Sequence, residues 1–197
     1  MFDLGFDLST ARAELLDLVV TRAYREGDFT LSSGQKSSYY VNCKEVTLHP
    51  QGALRTGQVL RSMLKPEAEA VAGLTLGADP IVTAVSVVSA SSERPVSALI
   101  VRKEPKGHGT QAWIEGPQLP PGTQVAVLED VVTTGQSALK AVERLRAAGY
   151  QVQQVLTLLD RLQGGAELYA AQGLQFAAAF TINDLQARVR QQAGQHS

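Results

Sequence analysis

The sequence predicts an α/β fold, in which a parallel sheet flanked by helices follows a small N-terminal lobe. Three observations predict it. Past Pro66 the chain alternates short apolar runs with helical segments, the pattern of a parallel sheet covered on both faces. The apolar runs are nearly continuous, as strands buried on both sides require. The 197 residues, 44% hydrophobic and 19% charged, suffice for one ordinary domain with a buried core and disfavour disorder. Residues 1–197 are therefore read as a single domain, with helices and a small lobe over 1–65 and the α/β core over 66–197.

Each element has its own justification. Leu15, Leu16, Val19, Val20 and Ala23 recur at helical spacing, with Ser9 or Thr10 placed to cap the start and Gly27 beyond the end. A polar, turn-rich stretch over 31–38 leads into a β-favouring run at 39–42. Pro50 suits the first turn of a second helix carrying Leu54, Val59, Leu60 and Met63. Strands are expected at 70–73, 98–101, 125–128 and 155–159, with helices at 80–90, 137–148 and 166–171 among them. Gly149 and Gly173 fall where helix C-caps belong. A last strand at 175–180 and a terminal helix at 183–191 complete the order, without internal repeats or low-complexity linkers.

A formal net charge of -1 argues against a broad nucleic-acid or membrane surface, so any basic chemistry is local. Cys43 is the single cysteine, which rules out a disulfide framework or a cysteine metal cluster and suits an apolar filler near a strand end. Residues 1–10 carry Asp3 and Asp7 and lack a basic region ahead of a long apolar stretch. The weakly polar run at 79–92 is rich in serine and too short to span a bilayer. A soluble, cytoplasmic protein with no nucleic-acid or membrane partner is expected.

The most informative segment runs from Val125 to Ser137. A hydrophobic strand ends in Glu129 and Asp130, a loop containing Thr133, Thr134 and Gly135 follows, and a helix begins at Ser137. Ligands of open parallel sheets bind outside the carboxyl ends of the strands. Hydroxyl donors, a glycine that admits close approach and a helix N-terminus together make a phosphate cradle. Carboxylates beside such a cradle make sense for a sugar phosphate. They accept from ribose hydroxyls, favour positive charge at the anomeric carbon and can support Mg²⁺. Helix capping alone explains one or two of these residues but not so many in a row.

Glu129 to Ser137 resembles the phosphoribosyl pyrophosphate (PRPP) signature of the type I phosphoribosyltransferases. The resemblance implies that family's fold, with the first lobe as a hood. It places Glu129, Asp130, Val131, Val132, Thr133, Thr134, Gly135, Gln136 and Ser137 around PRPP. The acidic pair would face the ribose and the loop from Thr133 would hold the 5-phosphate.

A second segment, Arg102-Lys103-Glu104-Pro105-Lys106-Gly107-His108-Gly109, is cationic and glycine-rich, with Pro105 blocking a helix. Composition alone favours a solvated loop. Its position after a parallel strand instead suits a lid that excludes water and neutralises an anionic leaving group. The run resembles the catalytic loop of the orotate phosphoribosyltransferases. By that resemblance Arg102, Lys103, Lys106 and His108 contact the diphosphate, and the loop reaches the neighbouring subunit's site in a homodimer. A zinc role for His108 lacks partners at ligand spacing, and His49 and His196 look incidental.

The stretch from Phe29 to Asn42 resembles the same family's hood segment. Physically, Tyr40 can pack on a planar base, and Lys36 or nearby amides can meet a carboxylate; an ordinary turn before an edge strand is the plainer reading. At Leu159-Asp160-Arg161 the arginine can pair bidentately with a carboxylate, or form a structural salt bridge. The resemblance assigns orotate binding to Thr133 and Arg161. Two positions depart from it: some branches carry a lysine where Ser32 stands and another where Gly77 stands.

The family reading implies a Mg²⁺-dependent transfer of ribose 5-phosphate from PRPP to orotate. The products are orotidine 5′-monophosphate and pyrophosphate, a step of de novo UMP synthesis. Lys106 and His108 are the candidates for leaving-group stabilisation, with His108 a possible proton donor. A purine or uracil phosphoribosyltransferase and a PRPP-sensing regulator are the competing readings. No length is left for a decarboxylase domain, so a bifunctional UMP synthase is not expected.

Overall fold

The computed structural model describes residues 6–30, 34, 36–105 and 113–194. The first helix, α1 (Leu8–Leu18), is capped by Asp7, whose carboxylate accepts from the Ser9 and Thr10 amides at 3.1 and 3.2 Å. The cap thus lies ahead of the Ser9 or Thr10 expected, because a carboxylate one residue outside satisfies two orphan N–H groups at once. A π-helical turn, Val19–Ala23, prolongs the helix.

The chain then enters β1 (Tyr24–Thr30), paired antiparallel with β2 (Lys36–Val41). Gly27 therefore does not end a helix; it sits inside β1 where the register slips between Glu26 and Phe29. β1 escapes sequence reading because it is exposed along most of its length and shows no apolar alternation. After the short α2 (Lys44–Thr47), α3 (Pro50–Met63) carries Pro50 in its first turn as expected.

Six strands form the main sheet: β3 (Ala70–Leu74), β4 (Ser97–Val101), β5 (Ile114–Glu115), β6 (Gln124–Val132), β7 (Gln151–Asp160) and β8 (Gln175–Thr181). Their order is β5-β4-β3-β6-β7-β8; all neighbours run parallel except β5, a two-residue edge antiparallel to β4. The α/β class and parallel sheet expected from the sequence are thus present. Helices α4 (Asp79–Ser89), α5 (Gln136–Ala147), α6 (Gly165–Ala171) and α7 (Ile182–Gly194) occur close to their expected places.

The period of two along a strand divides the core into two layers. On one face Val71, Ala126, Leu128 and Leu156 pack with Leu15 of α1, Leu60 of α3, Ile81 and Val85 of α4 and Leu185 of α7. On the other, Ala72, Val125, Val127 and Val155 meet Ala138, Val142 and Leu145 of α5 and Tyr169 of α6. Helices α1 and α3 therefore share the main core, and β1–β2 alone forms a separate small sheet. Pairing of β6 with β7 persists to Val132–Asp160, so Glu129 and Asp130 lie within the strand, not beyond it. Among the described residues no helix is long and apolar enough to cross a membrane.

Candidate active site

At the carboxyl end of β6 the chain turns at Gly135, which has φ 84° and serves as N-cap of α5. L-residues with a Cβ rarely adopt that conformation, and glycine does so freely. No side chain caps this helix, so the hydroxyls of Thr133, Thr134 and Ser137 are not spent on capping, and the amides of the first turn lack intrahelical partners. Loop and helix start enclose a cavity of about 50 Å³ lined by Glu129, Val131 to Ser137 and Tyr169. This is the shape and donor set of an anion cradle.

The two carboxyl groups have different surroundings but stay in contact, and a side-chain hydrogen bond with Asp130 is among the influences, after burial and charge, that raise the Glu129 carboxyl. Glu129 is buried, lines the loop cavity, and its Oε2 has no hydrogen-bond partner. Burial, and next the charge of Asp130, push its carboxyl up to about 8. Asp130 is half-buried, and its Oδ1 accepts from the Val131 amide at 2.9 Å. A Cβ placed on Gly77 would lie 2.6 to 2.7 Å from the Asp130 carboxylate, so that carboxylate is packed on the loop after β3. It also helps burial raise the Cys43 thiol far above its ordinary value. Cys43 is a buried core residue, as expected.

The basic segment is described to Pro105; Lys106 and His108 lie outside the described residues. Its two stems meet at the sheet edge, where the Arg102 amide donates to Trp113 O at 2.8 Å and the Arg102 guanidinium pairs with Glu115 at 2.9 Å. Arg144 of α5 binds both stems. Its guanidinium donates to the carbonyls of Arg102 and Lys103 and lies 4.0 Å above the Trp113 ring. Lys103 is exposed, yet its charge reaches Glu129 and opposes the rise of that carboxyl.

At the end of β7 the Arg161 amide donates to Val132 O at 2.9 Å, tying the strand end to the phosphate loop. Its guanidinium donates to the Tyr39 hydroxyl at 3.2 Å and lies 4.8 Å over that ring. Asp160 instead accepts from the Leu162 amide at 2.8 Å. The aromatic residue brought to Arg161 is therefore Tyr39. Tyr40 projects from the other side of β2, 44% exposed and 5.6 Å from Phe29. Lys36 donates to Thr30 across the β1–β2 pair.

Sequence reasoning missed Tyr39, Arg144 and Tyr169. Alternation along β2 can find Tyr39 once the strand's inner face is known. Arg144 and Tyr169 belong to helix positions that read as ordinary surface and core, and no local signal marks them. A separate apolar groove of about 680 Å³ runs along α2, α3 and α4, lined by Leu48, Leu54, Leu76, Pro80 and Val87 among others.

No family model matches the chain. It is 68% identical over 185 residues to an orotate phosphoribosyltransferase of Nostoc sp., covering 94% of this chain and 90% of that one. It superposes with TM-score 0.80 and 40% identity on Mycobacterium tuberculosis orotate phosphoribosyltransferase in complex with Fe(III) dicitrate, covering 89% of this chain and 98% of that one. A structure of the same mycobacterial enzyme in complex with PRPP matches with TM-score 0.76 and 37% identity over 89% of this chain and 99% of that one.

Proposed function

The chain belongs to the orotate phosphoribosyltransferases, and from that premise we propose how its residues share the transfer of ribose 5-phosphate from PRPP to orotate. One observation carries the assignment: three unlike elements converge where β6 and β7 end. These are an uncapped, glycine-opened anion cradle, a buried carboxylate with a free oxygen, and an arginine resting on a tyrosine ring. A ribose phosphate needs the first two. A planar carboxylated base needs the third.

Thr133 to Ser137 hold the 5-phosphate through hydroxyl and amide donors, and Glu129 and Asp130 accept from the ribose hydroxyls. Arg161 pairs with the orotate carboxylate while Tyr39, in place of the Tyr40 expected from the sequence, bounds the base; Thr133 contacts orotate from the loop side. Arg102 and Lys103 at the stem, with Lys106 and His108 beyond it, neutralise the diphosphate as the C1–O bond breaks. The ring nitrogen of orotate then bonds to C1, so no protein nucleophile is required. The protein orients the reactants and excludes water.

Oxygen donors from Glu129 and Asp130 suit Mg²⁺, which keeps most of its waters and favours phosphate oxygens. Among the described residues no group of three acidic, histidine or cysteine side chains could hold a metal ion, so the ion would be carried mainly by the diphosphate, with Glu129 and Asp130 nearby. When bound it would offset negative charge on the leaving group.

The same reading makes the enzyme a cytoplasmic homodimer whose basic loop serves the partner's site. The exposed apolar residues Leu48, Leu54, Leu76 and Val87 along one groove support such a self-contact. Loss of orotate ultraviolet absorbance, with pyrophosphate released only when PRPP and Mg²⁺ are both present, tests the reaction. Tight PRPP binding without orotate turnover would point to another base or to a regulator.

A further inference from the structure

The cavity under the phosphate loop contains one side chain with no assigned part. Tyr169 is fully buried on α6, its hydroxyl has no partner, and it lines the same small cavity as the free oxygen of Glu129. A Cβ placed on Gly135 would lie 3.0 Å from the Tyr169 hydroxyl, so the ring supports the loop at its left-handed residue. One turn earlier on the same helix face, a Cβ on Gly165 would meet Val132 at 2.3 Å and the Thr133 carbonyl at 3.2 Å. Helix α6 thus lies against the phosphate loop at two successive turns. The ring is held from behind by Phe176, 5.0 Å away.

We propose that Tyr169 is a positioning residue for the transfer: its hydroxyl donates to the Glu129 carboxylate when ribose hydroxyls engage that carboxylate, and its ring fixes Gly135 for the 5-phosphate. The proposal rests on the reading of Glu129 as a ribose ligand. Two buried polar atoms without partners, on one small cavity, are each costly alone and satisfy one another through a single hydrogen bond. Burial first, then the charges of Glu129 and Asp160, keep the phenol protonated and therefore a donor. A carboxylate that accepts from Tyr169 has its remaining lone pairs aimed and its ionised form stabilised, which is what two ribose hydroxyls require of it.

The test is Tyr169→Phe, which keeps the ring and removes the hydroxyl. Without ligand the variant is expected to melt at the parent's temperature or higher, because the lost hydroxyl had no partner. Its PRPP KM is expected to rise roughly tenfold while orotate KM and kcat stay within about twofold, as loss of a hydrogen bond to a charged group predicts. The acid limb of kcat, which reports the substrate-bound enzyme, should move up by about one pH unit, while that of kcat/KM, which reports the ligand-free enzyme, stays in place. In a Glu129→Gln background the same substitution should add little. An unchanged PRPP KM and acid limb, or a ligand-free protein that melts lower or fails to fold, would show the hydroxyl to be structural and overturn the proposal. If Glu129→Gln itself leaves PRPP KM unchanged, the ribose role of Glu129 falls first. If Glu129→Gln raises it and Tyr169→Phe does not, only the role of Tyr169 falls.

Discussion

Replacing Glu129 by glutamine removes a charge that the ligand-free fold resists. Its carboxyl is raised from 4.5 to about 8, by burial first and the charge of Asp130 second. The folded state therefore holds this proton more tightly than the unfolded chain. The stability associated with it is complete below about pH 4.5 and is lost as pH rises through about 8. At about 1.4 kcal/mol per unit, the ionised form costs the free protein on the order of 5 kcal/mol above that window. Glutamine keeps the shape and cannot ionise. Urea unfolding without ligand, from about pH 4 to about pH 9, gives the difference in unfolding free energy between variant and parent. That difference should move steadily in the variant's favour across the window and level off beyond it, while PRPP binding is weakened at every pH. A difference that stays constant with pH would mean that Glu129 is not a destabilised buried carboxylate, and the account of the site built on its free oxygen would fail.

Gly135→Ala should lower stability by about 1–2 kcal/mol for the left-handed backbone alone, with further loss from the 3.0 Å approach to Tyr169; thermal melting with and without PRPP reads both effects, and an unchanged melt would refute it. Arg144→Ala removes the clamp on the Arg102 and Lys103 carbonyls and the stack on Trp113. It should cost only about 1–2 kcal/mol of stability but lower kcat at saturating substrates at least tenfold, as misplacement of a catalytic segment predicts. Equal losses in stability and kcat would make it a packing residue. Lys106→Ala should lower turnover roughly a hundredfold, the usual loss for a donor to developing charge, with orotate KM little changed. Unchanged turnover at saturation would remove Lys106 from the mechanism.

The parts of the fold legible in the sequence are those where one local rule dominates. The buried strands announce themselves because both faces need apolar residues, and α3 because Pro50 marks its first turn. β1 was hidden, since Tyr24–Thr30 owes its conformation to pairing with β2 and not to burial. The length of β6 was underestimated for a related reason. Polarity at Glu129 and Asp130 reads as a strand end, yet the ladder to β7 continues through Glu129–Thr157 and Val131–Leu159 to Val132–Asp160. Arg144 was illegible because its role depends on two loop stems meeting above α5, a long-range fact with no trace at its own position.

The acidic pair shows most clearly where sequence order misleads. Two adjacent carboxylates read as one unit with one target, but side chains on a strand alternate between faces. Glu129 accordingly lines the phosphate-loop cavity and Asp130 packs on the loop after β3, where Gly77 leaves room for it, while a side-chain hydrogen bond still links the two carboxyl groups. The glycine and the orientation of Asp130 are thus one arrangement. A side chain at position 77 would meet the carboxylate at 2.6 Å, so a lysine of the kind some branches carry there can enter only if Asp130 turns aside. The missing lysine therefore need not be a lost diphosphate contact to be replaced elsewhere. Its absence lets Asp130 pack close to the loop after β3.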